Sequence, residues 1–126
     1  MLILDTHTLL WFLRDSSELS LKTKNMIQQA DIVSVSIVSL WEIAIKISLG
    51  KLELDVSISE IENLCYEKDI LILPIKTKEL EILNTLPKLH GDPFDRLIIC
   101  QTIQSSAILI TKDTIIPKYP VRTYWE

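Results

Sequence analysis

Short, unbroken apolar runs in this chain alternate with longer stretches in which apolar residues return every three or four positions. Met1 to Leu4 is a continuous apolar run, which suits a strand buried on both faces. Ile32 to Val35 is short and β-branched, Ile70 to Leu73 is stopped by Pro74, and Ile108 to Thr111 is a further run of the same kind. Val121 to Tyr124 reads as an edge strand, after a loop broken by Pro117 and Pro120. Between these runs the spacing predicts helices. Thr8 to Leu13 is a short one. Ser20 opens a second, which carries Met26, Ile27 and Ala30 inward. Ser36 or Ser39 caps a third, with Leu40, Ile43, Ala44 and Ile47 on one face, Lys46 and Lys51 at its negative end and Gly50 as its C′ residue. Ser57 and Glu60 form a capping-box pattern ahead of Ile61, Leu64 and Cys65. Thr77 starts a helical turn or two that ends near Pro87. Asp92 followed by Pro93 is a strong helix start, leading into Phe94, Leu97, Ile98 and Ile103.

The resulting order, β-α-α-β-α-α-β-α-α-β-β, argues for an α/β fold with a parallel sheet covered on both faces. No repeat or linker interrupts it, so residues 1–126 are expected to form one domain.

Composition narrows the class. An apolar fraction of 48% supports a globular core, and a net charge of −4 excludes a protein that holds nucleic acid mainly by neutralising phosphates. Any such contact has to be local, metal-assisted or helped by a partner. Cys65 and Cys100 have neither CxxC spacing nor nearby histidines, and His7 and His90 form no zinc pattern; two partly buried, reduced thiols are expected. No apolar run is long enough for a membrane span, and Asp5 interrupts the N-terminus too early for a signal peptide, so a soluble cytoplasmic protein is expected.

Acidic residues sit just past the strand-like runs, where the ligand sites of open parallel sheets gather. Asp5 follows Leu4, where a charge at the end of a buried strand needs a reason; capping the next helix through Thr8 is the plain alternative. Thr6 could orient a carboxylate by hydrogen bonding, and His7 could do the same or sit in the wall. Glu42, among Trp41, Ile43, Ala44 and Ile45, is either a buried acid with a partner or a solvent-facing one paired with Lys46. Asp92 and Asp95 suit an N-cap and an acid in the first turn, and Arg96 reads as a surface charge beside them. Asp113 follows the run ending at Thr111. Carboxylates gathered at one sheet end repel one another unless a divalent cation neutralises them. Mg²⁺ fits oxygen ligands of this kind better than zinc does. With no evident side-chain nucleophile, the expected chemistry is phosphodiester hydrolysis by metal-activated water.

The segments Ile3 to His7 with Leu10 and Trp11, Val38 to Lys46, Asp92 to Ile99, and Leu109 to Asp113 resemble the PIN-domain family. More closely, they resemble the VapC-type toxins of type II toxin–antitoxin systems. The match spans nearly the whole chain and keeps the order and spacing of these motifs. The resemblance implies a three-layer α/β/α sandwich with a mainly parallel sheet, and an acidic cluster that binds Mg²⁺ or Mn²⁺ and hydrolyses RNA. By motif match Asp5, Glu42, Asp95 and Asp113 are the catalytic acids and metal ligands. Asp92 belongs to a variant motif and is counted as a further ligand, and Thr111 would support the cluster by hydrogen bonding, the role that the residues alone suggest for Thr6 and His7. The resemblance further implies a homodimer and a cognate antitoxin that presents an amphipathic helix to a hydrophobic groove and an arginine to the carboxylates. Trp11, Phe12 and Trp41 could line that groove or pack in the core.

Other readings compete. A phosphatase of the haloacid-dehalogenase type needs a second Asp where this chain has His7. A phospho-receiver domain needs an acceptor Asp after a central strand, whereas Ile70 to Leu73 ends in Pro74. The non-enzymatic alternative is a catalytically inactive PIN-like module that binds RNA or protein; the presence of all four motif acids argues against it.

Overall fold

The computed structural model describes residues 1–126. β1 (Leu2–Leu4) runs into α1 (Thr6–Leu13), followed by α2 (Leu21–Gln29), β2 (Val33–Ser36), α3 (Ile37–Ser48) and α4 (Ile58–Glu67). Then come β3 (Ile70–Leu73), α5 (Thr77–Thr85), α6 (Pro93–Gln104), β4 (Ile108–Ile110), a 3-10 turn at Ile116–Lys118 and β5 (Arg122–Tyr124). This is the order that the hydrophobic pattern predicts. The first helix begins at Thr6 rather than Thr8, because Asp5 caps it by accepting from the Thr8 amide at 2.9 Å. Ser36, not Ser39, caps α3 through the Val38 amide at 3.0 Å. The Ser57–Glu60 capping box closes the start of α4. Gly50 follows α3 in the left-handed region at φ 69°, as a C′ glycine should. Asp15, Asp69 and Ser106 take the same conformation just past α1, α4 and α6, where short polar side chains tolerate it.

All strands pair in parallel, in the order β3-β2-β1-β4-β5. Alternation along each strand divides the core between the two sheet faces. Leu2, Leu4, Val33, Val35 and Ile110 pack on one side against Leu9 and Leu10 of α1, Ile27 of α2, Leu40 and Ile43 of α3 and Ile61 of α4. Ile3 and Leu109 pack on the other side against Leu97 to Cys100 of α6. The result is a three-layer α/β/α sandwich. Its thiols are more buried than expected: Cys65 and Cys100 lie in opposite layers, free and fully buried, and burial raises both to about 11. No helix is long and apolar enough to cross a membrane.

The topology also locates the site. From the central β1 the chain builds outward through β2 to β3, then crosses to the other side of β1 for β4 and β5. Strand order therefore reverses between β1 and β4, and the crevice at their carboxyl ends is where such sheets bind ligands. The strand ending in Pro74 is an edge strand, not a central one; the strand in the middle is the one that delivers Asp5.

Candidate metal centre

Asp5, Thr6, His7, Glu42, Lys46, Asp92, Asp95 and Asp113 line one cleft of about 140 Å³ at this crevice, and none of its lining residues is hydrophobic. Four separate parts of the chain supply the acids. Asp5 leaves the end of β1, Glu42 projects from α3, Asp92 and Asp95 open α6, and Asp113 follows β4.

Asp5 is 7% exposed and both caps α1 and faces the cleft, so its two sequence readings are one arrangement. Burial raises its pKa, against hydrogen bonds from Thr111 and Thr8. Thr8 also ties the strand ends together by donating its hydroxyl to the Ile110 carbonyl at 3.0 Å. Glu42 is buried rather than solvent-facing, yet it keeps its helix partner: Lys46 Nζ lies 2.8 Å from Oε2. The Thr6 hydroxyl donates to Glu42 Oε1 at 2.6 Å and lies 2.9 Å from Ser39 Oγ.

Asp92 is the N-cap of α6, accepting from the amides of Phe94 at 2.8 Å and Asp95 at 3.2 Å, and it still borders the cleft. Asp95 is also shifted upward. Burial, followed by the charges of Asp92, Asp5 and Glu42, raises its pKa to about 7 despite His90. Asp113 behaves in the opposite way. Burial would raise it, but His90 and the amides of Ile116 and Ile115 outweigh that and hold it below the ordinary carboxylate value. Those amides donate to Oδ1 at 2.9 and 2.7 Å, while Thr111 Oγ1 accepts from the Asp113 amide at 3.1 Å. Thr111 thus touches two acids. His7 is exposed on the cleft wall, with its ring stacked on Trp11 at 5.5 Å.

Two residues given no role at the site by the sequence matter here. His90 places Nε2 2.9 Å from Asp113 Oδ2 and 3.2 Å from Asp95 Oδ2. A lone histidine two positions before an N-cap gives no periodic signal; only its closeness to the Asp92–Asp95 motif could have drawn attention. Arg96 is not a surface charge. Its guanidinium donates to the carbonyls of Pro87 at 2.7 Å and Leu86 at 3.3 Å, and lies 3.2 Å from the hydroxyl of buried Tyr119.

Carboxylates from separate elements, drawn together in a small polar cleft with Lys46 as the one ammonium in its lining, suit a hard divalent cation with oxygen ligands. Trp41, one of the aromatics considered for the core, is instead 55% exposed and meets Phe94 edge-on at 5.0 Å.

Comparison with known proteins places this geometry. Residues 2–121 match the PIN domain. Ribonuclease VapC22 of Mycobacterium tuberculosis is 27% identical over 114 residues, covering 88% of this chain and 85% of that protein. Among solved structures, VapBC2 from Rickettsia felis, bound to a DNA fragment from its promoter, superposes with a TM-score of 0.72 at 14% identity, covering 99% of this chain and 98% of that one. FitAcB from Neisseria gonorrhoeae gives 0.63 at 18% identity, covering 98% and 96%.

Proposed function

The chain belongs to the PIN-domain family, and from that premise we propose that it is a metal-dependent endoribonuclease, the VapC-like toxin of a toxin–antitoxin pair. The observation that carries this reading is the convergence of Asp5, Glu42, Asp92, Asp95 and Asp113 from four chain segments on one polar cleft. The ribonuclease name of the relative and the toxin–antitoxin complexes among the structural neighbours support it.

Asp5, Glu42 and Asp95 would hold Mg²⁺ or Mn²⁺, with Asp92 and Asp113 adding negative charge at the rim. When bound, the ion supplies neutralisation of the scissile phosphate and activation of the attacking water. The protein's own groups do the rest. Thr6 fixes one oxygen of Glu42, and Lys46 balances the other. Asp113 has Oδ1 engaged by two amides and Oδ2 by His90, so it shapes the field more than it reaches toward a ligand. The Thr6 hydroxyl is committed to Glu42 and so does not act as the nucleophile; in this reading water does.

The partner in this reading is an antitoxin protein that covers apolar surface of the toxin. A groove of about 390 Å³, in which Leu10, Leu13, Leu54, Val56, Ile61 and Leu64 meet the charged Arg14, Glu53 and Asp55, suits an amphipathic helix, and exposed Trp41 offers a second contact. A homodimer is part of the same proposal.

The test is cleavage of mixed cellular RNA with Mg²⁺ or Mn²⁺, comparing the wild type with Asp5→Asn, with and without chelator. Cleavage requiring both metal and Asp5 is expected. Absence of both cleavage and metal binding would overturn the reading in favour of a binding module.

A further inference from the structure

His90 Nε2 and the carboxylates of Asp95 and Asp113 lie within 4.8 Å of one another, a grouping that could itself be taken for a histidine–aspartate metal site. The other ring nitrogen argues against that. Nδ1 lies 3.0 Å from the backbone amide of Asp92, and a backbone N–H can only donate. Nδ1 therefore offers its lone pair and carries no proton, which places the ring proton on Nε2. That N–H is hydrogen-bonded to Asp113 Oδ2 at 2.9 Å, and Asp95 Oδ2 lies 3.2 Å from the same nitrogen. We propose that His90 is a positioning residue of the carboxylate cluster, a fixed N–H donor to Asp113 held beside Asp95, and not a metal ligand.

To bind a metal through Nε2 the ring would have to move its proton to Nδ1. Two N–H groups would then face each other at about 3 Å, and the Asp92 amide would lose its acceptor. Nor is the ring free to swing away. Its side chain is 11% exposed. The hydroxyl of Tyr119 accepts from the amides of His90 at 2.8 Å and Leu89 at 2.9 Å. Arg96 holds the preceding carbonyls of Leu86 and Pro87. The loop ahead of α6 is thus fastened at several points, and the imidazole it carries is set by the same Asp92 that caps the helix.

The consequence concerns the acids. Asp95 and Asp113 belong to different elements, and as carboxylates they repel. His90 fastens Asp113 by this hydrogen bond and sits between it and Asp95, without using a coordination position. Outer hydrogen-bond partners of this kind alter metal affinity by 10–100-fold when removed.

This inference rests on the metal-centre reading, and its test separates the two. Long-range ¹H–¹⁵N NMR of the wild-type protein at pH 8 reads the His90 tautomer before and after Mg²⁺ addition. A protonated Nε2 and a bare Nδ1 in both states are expected; a proton on Nδ1 in either state overturns the proposal. Mg²⁺ affinity by calorimetry is then compared for the wild type, His90→Ala and His90→Gln, since the glutamine amide can present an N–H near the position of Nε2. His90→Ala should bind at least about 10-fold more weakly, and His90→Gln should recover most of that loss. Unchanged affinity in His90→Ala, or no recovery in a folded His90→Gln, counts against it. If the wild type binds no divalent cation, the metal-centre reading fails, while the metal-free tautomer still decides whether His90 is the donor.

Discussion

Thr6 and Glu42 meet at 2.6 Å across 36 positions of sequence, joining the first turn of α1 to the middle of α3. Both are buried, and the contact gives the Glu42 carboxylate a donor inside the protein, opposite the Lys46 ammonium. A buried carboxylate deprived of one partner bears a desolvation cost that its remaining partner only partly offsets.

Thr6→Val preserves the side-chain shape and removes the hydroxyl. We expect a loss of about 1–3 kcal/mol in urea unfolding, together with weaker metal binding because Glu42 is no longer held. A variant as stable as the wild type would show that the contact contributes nothing.

Asp5→Asn should separate function from stability. The amide oxygen can still accept from the Thr8 amide, so the cap survives, while the buried charge that burial disfavours is gone. The expected outcome is cleavage reduced by about 100-fold or more, with a metal-free melting temperature equal to or above that of the wild type. A clear fall in melting temperature would mean that Asp5 is needed for folding.

Asp95 gives the metal-free protein a pH dependence of definite sign. Its folded pKa of about 7 stands above the ordinary 3.8, so the folded state favours the protonated form. The stability associated with it is complete below about pH 4 and is lost as pH rises toward 7. The melting temperature of the metal-free wild type should therefore decline across that window more steeply than that of Asp95→Asn. Added Mg²⁺ should reverse the trend, raising the melting temperature more at pH 8 than at pH 6, because the ion competes with the proton for the same carboxylate. Scanning calorimetry across pH, with and without chelator, checks both signs.

Lys46→Met keeps the aliphatic stem and removes the cation beside Glu42. With the Glu42 side chain 5% exposed and that of Lys46 36%, the pair is half-screened. A cost of about 1–2 kcal/mol without metal is expected, smaller when Mg²⁺ is present to balance the acids. Equal costs with and without Mg²⁺ would mean that the ion does not replace the ammonium electrostatically.

Attack by water leaves a signature in the products. Ends formed by hydrolysis carry no 2′,3′-cyclic phosphate, and a substrate with a single 2′-deoxy sugar at the scissile position should still be cut. Mass spectrometry of the cleaved ends decides this. A cyclic phosphate would assign the nucleophile to the ribose 2′-hydroxyl instead.

The hydrophobic pattern by itself determined the element order, the parallel sheet and the strand-end placement of Asp5 and Asp113, because period and run length report local geometry directly. The caps at Ser57 and Asp92 were likewise legible, since a cap and its helix are neighbours in sequence. What the pattern left open for Glu42, buried or exposed, was decided only when α3 packed beside α1 and brought Thr6 to it. The roles of His90 and Arg96 were not legible for a related reason. Their roles come from a loop folded back against Tyr119 and from an aspartate beyond β4, and contacts across such distances leave no periodic trace. The strand order β3-β2-β1-β4-β5 was also a tertiary outcome: alternation of strands and helices is the same on either side of β1, and only packing chose the crossing that opens the crevice between β1 and β4.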